Sequence, residues 1–262
     1  MTESTKPGEV RTIVDGRIMR IVIDNVSKRN AFVPDMMMQL SAALTRYDDD
    51  PSLWVAVLSA EGDHFTAGLD MPKFFGPGAT WKGTPHDQID PFGLRRRCRK
   101  PVITAVQGIT YTIGIEMMLA GDIVVAADSA RFCQMESKRG IAPLGGAHFR
   151  FLSRMGWGNA MYHLMLCDEF DALRALHLGL VQEVVPAGRQ VERALELAAI
   201  VASNAPLGIQ VMKESAMKYT EAGEAAAIAM LPAIRERVMN TEDAKEGIRS
   251  FVERRPAKFQ GR

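Results

Sequence analysis

Three short apolar runs constrain what this chain can fold into more than any other feature: WVAVLSA at 54–60, PVITAV at 101–106 and DIVVAAD at 122–128. Each is apolar almost throughout, where a strand with one wet face would alternate, so each reads as a strand covered on both sides. The segments between them carry helical spacing and loops, and connections of that length serve parallel rather than hairpin pairing. A layered α/β architecture with a buried, partly parallel sheet is the consequence.

The N-terminal segment adds a hairpin. VRTIV and RIMRIVID flank Asp15-Gly16, a pair suited to the positive φ angles of a tight turn. Pro34-Asp35 then opens a helix in which Met37, Leu40, Ala43, Leu44 and Tyr47 recur at helical spacing, ending in the run DDDP. GDHFTAGLD is a loop, and residues 76–92, rich in Gly and Pro without periodicity, read as a mobile surface loop. GLRRRCRK, residues 93–100, reads as a basic helical segment with a solvated face, with phosphate contact as the alternative. QGITYTIG is a loop and IEMMLAG a short helix. From Gly145 helices dominate, with one strand at VQEVV, and from about Arg189 the chain is expected to be helical, punctuated at Pro206, Gly223, Pro232 and Asn240-Thr241. The expected division is a core at 1–188 and a helical region at 189–262. The latter has too few apolar residues for a core of its own and is expected to pack on the body or on another subunit.

Composition removes several classes of function. With 262 residues, 47% of them apolar, the chain can bury a large core unaided. Lys and Arg number 32 against 31 Asp and Glu, and a net charge of +1 supplies no field favouring nucleic acid or an anionic membrane. Cys98, Cys133 and Cys167 form no CxxC pair, and an odd count fits a reducing compartment, so the cytoplasm is expected. MTESTKPGEV lacks the apolar stretch of a secretory signal, and no run is long enough to span a bilayer. The nucleophile elbow GxSxG, the phosphate loop, the dinucleotide fingerprint and HExxH are all absent. The five histidines are scattered without metal-ligand spacing, so no metal is expected.

Two acids remain. Glu116 opens a short helix among Ile113, Ile115, Met117 and Leu119, which implies a buried carboxyl, and Glu136 follows twenty positions on, beyond the run DIVVAAD. Burial would raise either pKa towards the range useful for proton transfer, whereas a first-turn helix acid and a surface residue are the plain alternatives. The stretches FTAGLD, KPVITAVQG, GIEMMLAGDIVVAADSARF, QMES followed by RGIAP, and FVERRPAKF occur in order over nearly the whole chain. Together they resemble the enoyl-CoA hydratase/isomerase (crotonase) superfamily.

The resemblance implies a crotonase-like spiral of ββα units with a C-terminal helical region that assembles trimers or hexamers. It implies an acyl-CoA thioester as substrate, coenzyme A being part of that substrate rather than a cofactor. Leu69 and Ile113 align with the family's paired backbone N–H donors, which stabilise the enolate formed at the thioester. Glu116 and Glu136 align with the two acids of the family's hydratases, one holding and deprotonating water, the other protonating Cα. Lys28, Arg29, Ala31, Ala67, Asp70 and Gly114 are placed near the coenzyme, and Lys258 and Phe259 are expected to reach it from a neighbouring subunit. Hydration of a 2-enoyl-CoA, as in fatty acid metabolism, is the expected reaction. The alternatives are another reaction of the family, an isomerisation or C–C bond cleavage, and a non-catalytic acyl-CoA-binding scaffold.

Three departures stand out. Thr112-Ile113-Gly114 replaces the family's glycine triplet, and the branched Ile113 is expected to reduce the space at the oxyanion donor. Met135 stands where a proline often precedes the second acid. In PLGGA, Leu144 takes a position where a small residue admits water, so its side chain is expected to narrow the space between the two acids.

Overall fold

The computed structural model describes residues 7–79 and 81–262. Residues 1–6 of the polar start, and Thr80 in the expected loop at 76–92, lie outside the described residues. Strands β1 (Glu9–Asp15) and β2 (Ile18–Asp24) pair antiparallel across Gly16 and Arg17, as the hairpin reading requires. Helix α1 (Pro34–Asp49) starts with its proline in the first turn, where a missing N–H costs nothing. It returns the chain to β3 (Val55–Ala60), parallel to β2. After the short α2 (Met71–Phe75) and a long irregular segment come β4 (Val102–Val106), β5 (Ile109–Tyr111), α3 (Ile113–Ala120), β6 (Ile123–Ala127) and β7 (Arg131–Cys133). Then follow α4 (Ala147–Leu166), β8 (Phe170–Asp171), α5 (Ala172–His177), β9 (Glu183–Val185), α6 (Gln190–Ala202), α7 (Pro206–Met239) and α8 (Glu242–Glu253).

The main sheet runs β1-β2-β3-β4-β6-β9, parallel throughout apart from the first pair. The three apolar runs are its centre, and every residue of β3 and β4 is buried. One face carries Met36, Met37, Leu40, Leu44 and Tyr47 of α1 against Ile21, Ile23, Ala56 and Leu58. The other face is closed by α6, whose Ala194 and Ala198 lie on Val55, Val57, Ile103, Ala105 and Val125. Small residues there let the helix come close to a sheet of β-branched side chains. Thus the first helix of the expected C-terminal region belongs to the body, and only α7, bent at Gly223, and α8 extend the helical arm. These two helices leave Met212, Tyr219, Leu231, Met239, Phe251 and Val252 exposed.

Two local expectations fail. The segment GITYTIG is not only a loop: its three residues of β5 pair parallel with β7, which pairs antiparallel with β8, making a second sheet of three strands. Nor do residues 93–100 form a helix. The acidic end of α1 claims them: Asp48, 1% exposed, accepts from the Arg99 N–H (2.7 Å), the Arg99 guanidinium (2.9 Å) and the Lys100 N–H (3.3 Å). Lys100, itself buried, donates its ammonium to the Tyr47 and Asp50 carbonyls, while Arg96 pairs with Asp49. A carboxylate drawn out of water needs such partners, and meeting them holds the basic run in turns. The run therefore clasps the end of α1 in turns rather than forming a helix, with Arg95, Arg97 and Arg99 still exposed.

Candidate active site

Beyond the end of β3 the chain enters a loop whose backbone is paired on both sides. Phe65 and Thr66 donate to the Gln107 and Ile109 carbonyls (2.8 and 3.0 Å), and Ala67 donates to Arg29 (3.0 Å). The Gly68 N–H is held by the Thr66 hydroxyl at 3.1 Å, and Asp70 donates to Phe32 at 2.8 Å. Phe32 in turn donates to the Gly68 carbonyl at 2.8 Å. In the run from Phe65 to Asp70, only the Leu69 N–H has no acceptor among the described residues. Buried loop backbone is nearly always satisfied, so a donor left over in so complete a ladder points at a ligand.

A second donor lies beside it. Tyr111 and Thr112 donate to Thr66 and Cys133 (3.1 and 3.0 Å), Ile115 and Glu116 close on the Thr112 carbonyl, and the N–H groups of Ile113 and Gly114 between them have no acceptor among the described residues. They are the first free donors of α3, with the positive end of its dipole. The two loops touch: a Cβ built on Gly68, at φ +108°, would fall 2.6 Å from the Thr112 hydroxyl oxygen. Leu69 and Ile113 each follow one member of that contact, so their donors share one small region.

The crowding expected of Ile113 does not occur. Its side chain, 6% exposed, is part of the main core, so only its N–H faces the site. The strain of losing the glycine triplet falls on Thr112, held at φ 49° and ψ −113°, a conformation that costs a non-glycine residue about 1–3 kcal/mol. Gly114 packs on Thr66, where an added Cβ would sit 2.7 Å from its methyl group. It serves the closeness of helix and loop.

Both acids are buried, Glu116 at 2% and Glu136 at 7% exposure. Burial raises the Glu116 pKa, opposed by the Ala147 and Gly145 N–H groups and the charges of Arg150 and His148. Its carboxylate accepts the Ala147 N–H at 3.2 Å. Glu136 begins a short 3-10 turn after β7, and one of its oxygens is buried without a partner among the described residues. Burial first, then repulsion from Glu116, pushes its pKa up to about 7. Glu116, which has the better donors, therefore yields its proton first, and Glu136, which feels that charge, holds its proton to higher pH.

Residues not singled out from sequence hold Glu116 in place. Arg150 donates to the carbonyls of Gly145 (2.9 Å), Glu116 (3.4 Å) and Phe92 (2.5 Å). It thereby ties the turn before α4 to α3 and to the segment after the long loop. Burial lowers its pKa to about 10. Leu144, expected to narrow the space between the acids, is 78% exposed and does not do so. Its neighbour Gly145 is the close contact: a Cβ there would fall 2.3 Å from a Glu116 carboxylate oxygen. The glycine pair before α4 was the available signal, read one position too early.

Of the residues placed near the coenzyme, Arg29, Ala31 and Ala67 lie in or beside the loop ladder through backbone contacts. Lys28 and Asp70 line a groove of about 490 Å³ with Asn25, Ser27 and Lys73. Lys258 and Phe259 are not brought there within the chain. Phe259 packs on the cluster around Trp54, and its carbonyl accepts from Arg17 at 2.8 Å, both before the starts of β2 and β3 and so at the opposite end of the strands. A larger cleft, about 1100 Å³ between residues 94–99 and α7, contains neither acid nor either free donor, so volume alone does not select the site. Among the described residues no three His, Cys, Asp or Glu side chains gather to hold a metal.

The sequence model of the family described as "Enoyl-CoA hydratase/isomerase" matches residues 14–262. The chain belongs to the enoyl-CoA hydratase/isomerase family. It is 32% identical over 251 residues to enoyl-CoA hydratase EchA19 of Mycobacterium tuberculosis, covering 94% of each chain. It is also 30% identical to the 2,3-dehydroadipyl-CoA hydratase of Escherichia coli over 94% of this chain and 96% of that one. Among solved structures, a probable enoyl-CoA hydratase/isomerase from Mycobacterium abscessus superposes with a TM-score of 0.93 at 40% identity, over 97% of this chain and 98% of that one. The crotonase fold read from the motifs is thereby shown, and an enzyme of the crotonase type with it.

Gly145 and Leu144 give opposite expectations. Gly145→Ala is expected to displace the Glu116 carboxylate and cut turnover by at least ~10²-fold, the scale of a lost acid–base group. Leu144→Ala, on an exposed side chain, should stay within about 0.5 kcal/mol of the parent in stability and keep its activity. Parallel thermal unfolding and steady-state assays of the two variants check both.

Proposed function

We propose that the protein is a 2-enoyl-CoA hydratase, adding water across the 2,3 double bond of its thioester substrate. The observation that carries this reading is the pair of buried carboxyls, unequally supported by hydrogen bonds, beside two free backbone donors. The Leu69 and Ile113 N–H groups hold the thioester oxygen and become stronger partners as it gains enolate charge. Glu116, ionised, accepts a proton from water as the water oxygen bonds to Cβ and the double-bond electrons move into the enolate. Glu136 delivers its proton to Cα, the carbonyl re-forms, and proton exchange between the acids through solvent restores the starting state. An isomerase needs only one such acid to carry a proton between two carbons, so retention of both favours hydration. The exposure of Leu144 removes the steric reason for doubting a water site.

The same reading extends to assembly. The apolar residues left exposed on α7 and α8 support a homotrimer or a pair of trimers, in which Lys258 and Phe259 of one subunit would reach a neighbour's coenzyme. Sedimentation at micromolar concentration should give three or six times the chain mass of 28.9 kDa, and a mass near 28.9 kDa itself contradicts the assembly.

Glu116→Gln and Glu136→Gln are each expected to lower kcat by at least ~10²-fold with little loss of stability. The assay is loss of enoyl-thioester absorbance over a panel of 2-enoyl-CoA substrates, with product masses separating water addition from isomerisation. Near-parental turnover in either variant, or a product without added water, contradicts the proposal.

A further inference from the structure

The basic run at 93–100 has a second side that the clasp on α1 does not use. Arg96 and Arg99 pair with Asp49 and Asp48, whereas Arg97 touches neither acid and lines the cleft of about 1100 Å³ between this segment and α7. Seven of the residues lining that cleft are Arg or Lys and three are Asp or Glu, a net of +4 in one place on a chain whose whole net charge is +1. Asp122 is held by Lys213 and Glu214 by Arg237, both at 2.7 Å, and Glu221, the third acid, pairs with no cation among the described residues. Three guanidiniums are left without a carboxylate. Arg97 donates to the Gly93 carbonyl and to the Met217 sulfur (3.2 Å), and the buried Arg150 donates only to carbonyls. The exposed Arg154 side chain has no hydrogen-bond or ion-pair partner among the described residues. Burial, then the charges of Arg97 and Arg154, weigh against the charge on Arg150, which Glu116 and Asp90 favour from beyond ion-pair distance.

A cleft lined by one sign of charge focuses its field, and a cluster of cations that the chain's own carboxylates do not neutralise is completed by an anion. Guanidinium forks fit the oxygens of phosphate, and three of them exceed what a single carboxylate engages. The facing wall suits the same ligand. Gln210, Lys213, Glu214, Met217, Thr220 and Glu221 recur at helical spacing along one side of α7, and Ser153 of α4 adds a hydroxyl. The apolar Met212, Ala216 and Tyr219 stand on the opposite side of α7, so the surface offered to a second copy of the chain is a different one. The coenzyme's own phosphates are also met elsewhere. The free donors of α3 and the groove beside Lys28 lie at the C-terminal ends of the strands, whereas Leu119 to Asp122 line the cleft at the other end of α3, before β6. We infer that this cleft is a binding site for a small polyphosphate-bearing anion, a nucleotide or another phosphorylated metabolite, separate from the thioester site, with Arg97, Arg150 and Arg154 as its phosphate ligands.

Calorimetric titration of the full-length protein with inorganic tripolyphosphate, ATP and citrate at low ionic strength tests the inference. Tripolyphosphate and ATP should each bind ~10-fold or more tightly than citrate, because phosphate rather than carboxylate geometry is being read. Arg150 holds the turn on Glu116, so the substitutions leave it alone. Arg97→Gln and Arg154→Gln should each weaken tripolyphosphate ~10-fold or more, the scale of one charge-assisted hydrogen bond, while hexanoyl-CoA keeps its affinity within about twofold. Arg154→Gln should also leave Tm unchanged or raised, since the side chain has no partner to lose and a like charge is removed from the cluster. Arg189→Gln removes the same charge at the start of α6, outside the cleft, and should leave tripolyphosphate binding unchanged. The inference is overturned by no binding at about 1 mM tripolyphosphate, by citrate binding as tightly, or by equal losses in Arg189→Gln. A parallel loss of hexanoyl-CoA affinity in the two cleft variants would overturn it too, by assigning the cleft to the coenzyme.

Discussion

Everything at the candidate site depends on the backbone ladder that fastens residues 65–70 between two neighbours. The segments at 29–32 and 107–111 take up most of its peptide groups, the Thr66 hydroxyl holds the Gly68 N–H, and among the described residues only the Leu69 N–H of the run is unclaimed. A donor on a free loop would be solvated and mobile, so its aim would carry an entropic cost at every turnover. Here the aim is fixed by folding, because the partners are the segment that leads into α1 and the link from β4 into β5, both set by the packed body. The same ladder brings Gly68 against Thr112 and so sets the start of α3 beside it, which explains why a strained Thr112 is tolerated: the surrounding pairs over-determine it.

The acids extend this logic from geometry to charge. α3 delivers Glu116 into the core one turn after its free donors, and the turn before α4, held by Arg150, folds back to hydrogen-bond it. Glu136 has no such support on its buried oxygen and feels the Glu116 charge. Unequal support is what separates two chemically identical groups into a base and an acid. Desolvation raises both; the donors decide which one yields its proton.

Much of this was legible in the chain. The apolar runs placed β3, β4 and β6, the Asp15-Gly16 pair placed the hairpin, and the surroundings of Glu116 announced its burial. What stayed hidden has a common cause in short or long-range pairing. β5 and β7 are three residues each, too short to show a period, and only their mutual pairing makes them strands. The helical reading of 93–100 missed that its side chains answer Asp48 and Asp49, some fifty positions earlier. Leu144 was assigned to the site from its alignment, yet a single residue's shift along a turn exchanges an exposed side chain for a glycine pressed on a carboxylate.

The central claim is that Glu136 holds its proton to higher pH than Glu116, and a site-resolved titration tests it most directly. Carbon-labelled glutamate would be followed by NMR across pH 4 to 9 in the full-length protein, with the Gln variants providing the assignments. Glu136 is expected to titrate near 7, and in Glu116→Gln to move down while staying above the ordinary glutamate range, because burial outweighs the lost repulsion. A Glu136 carboxyl that titrates with the exposed glutamates in the parent protein would contradict the division of acid and base.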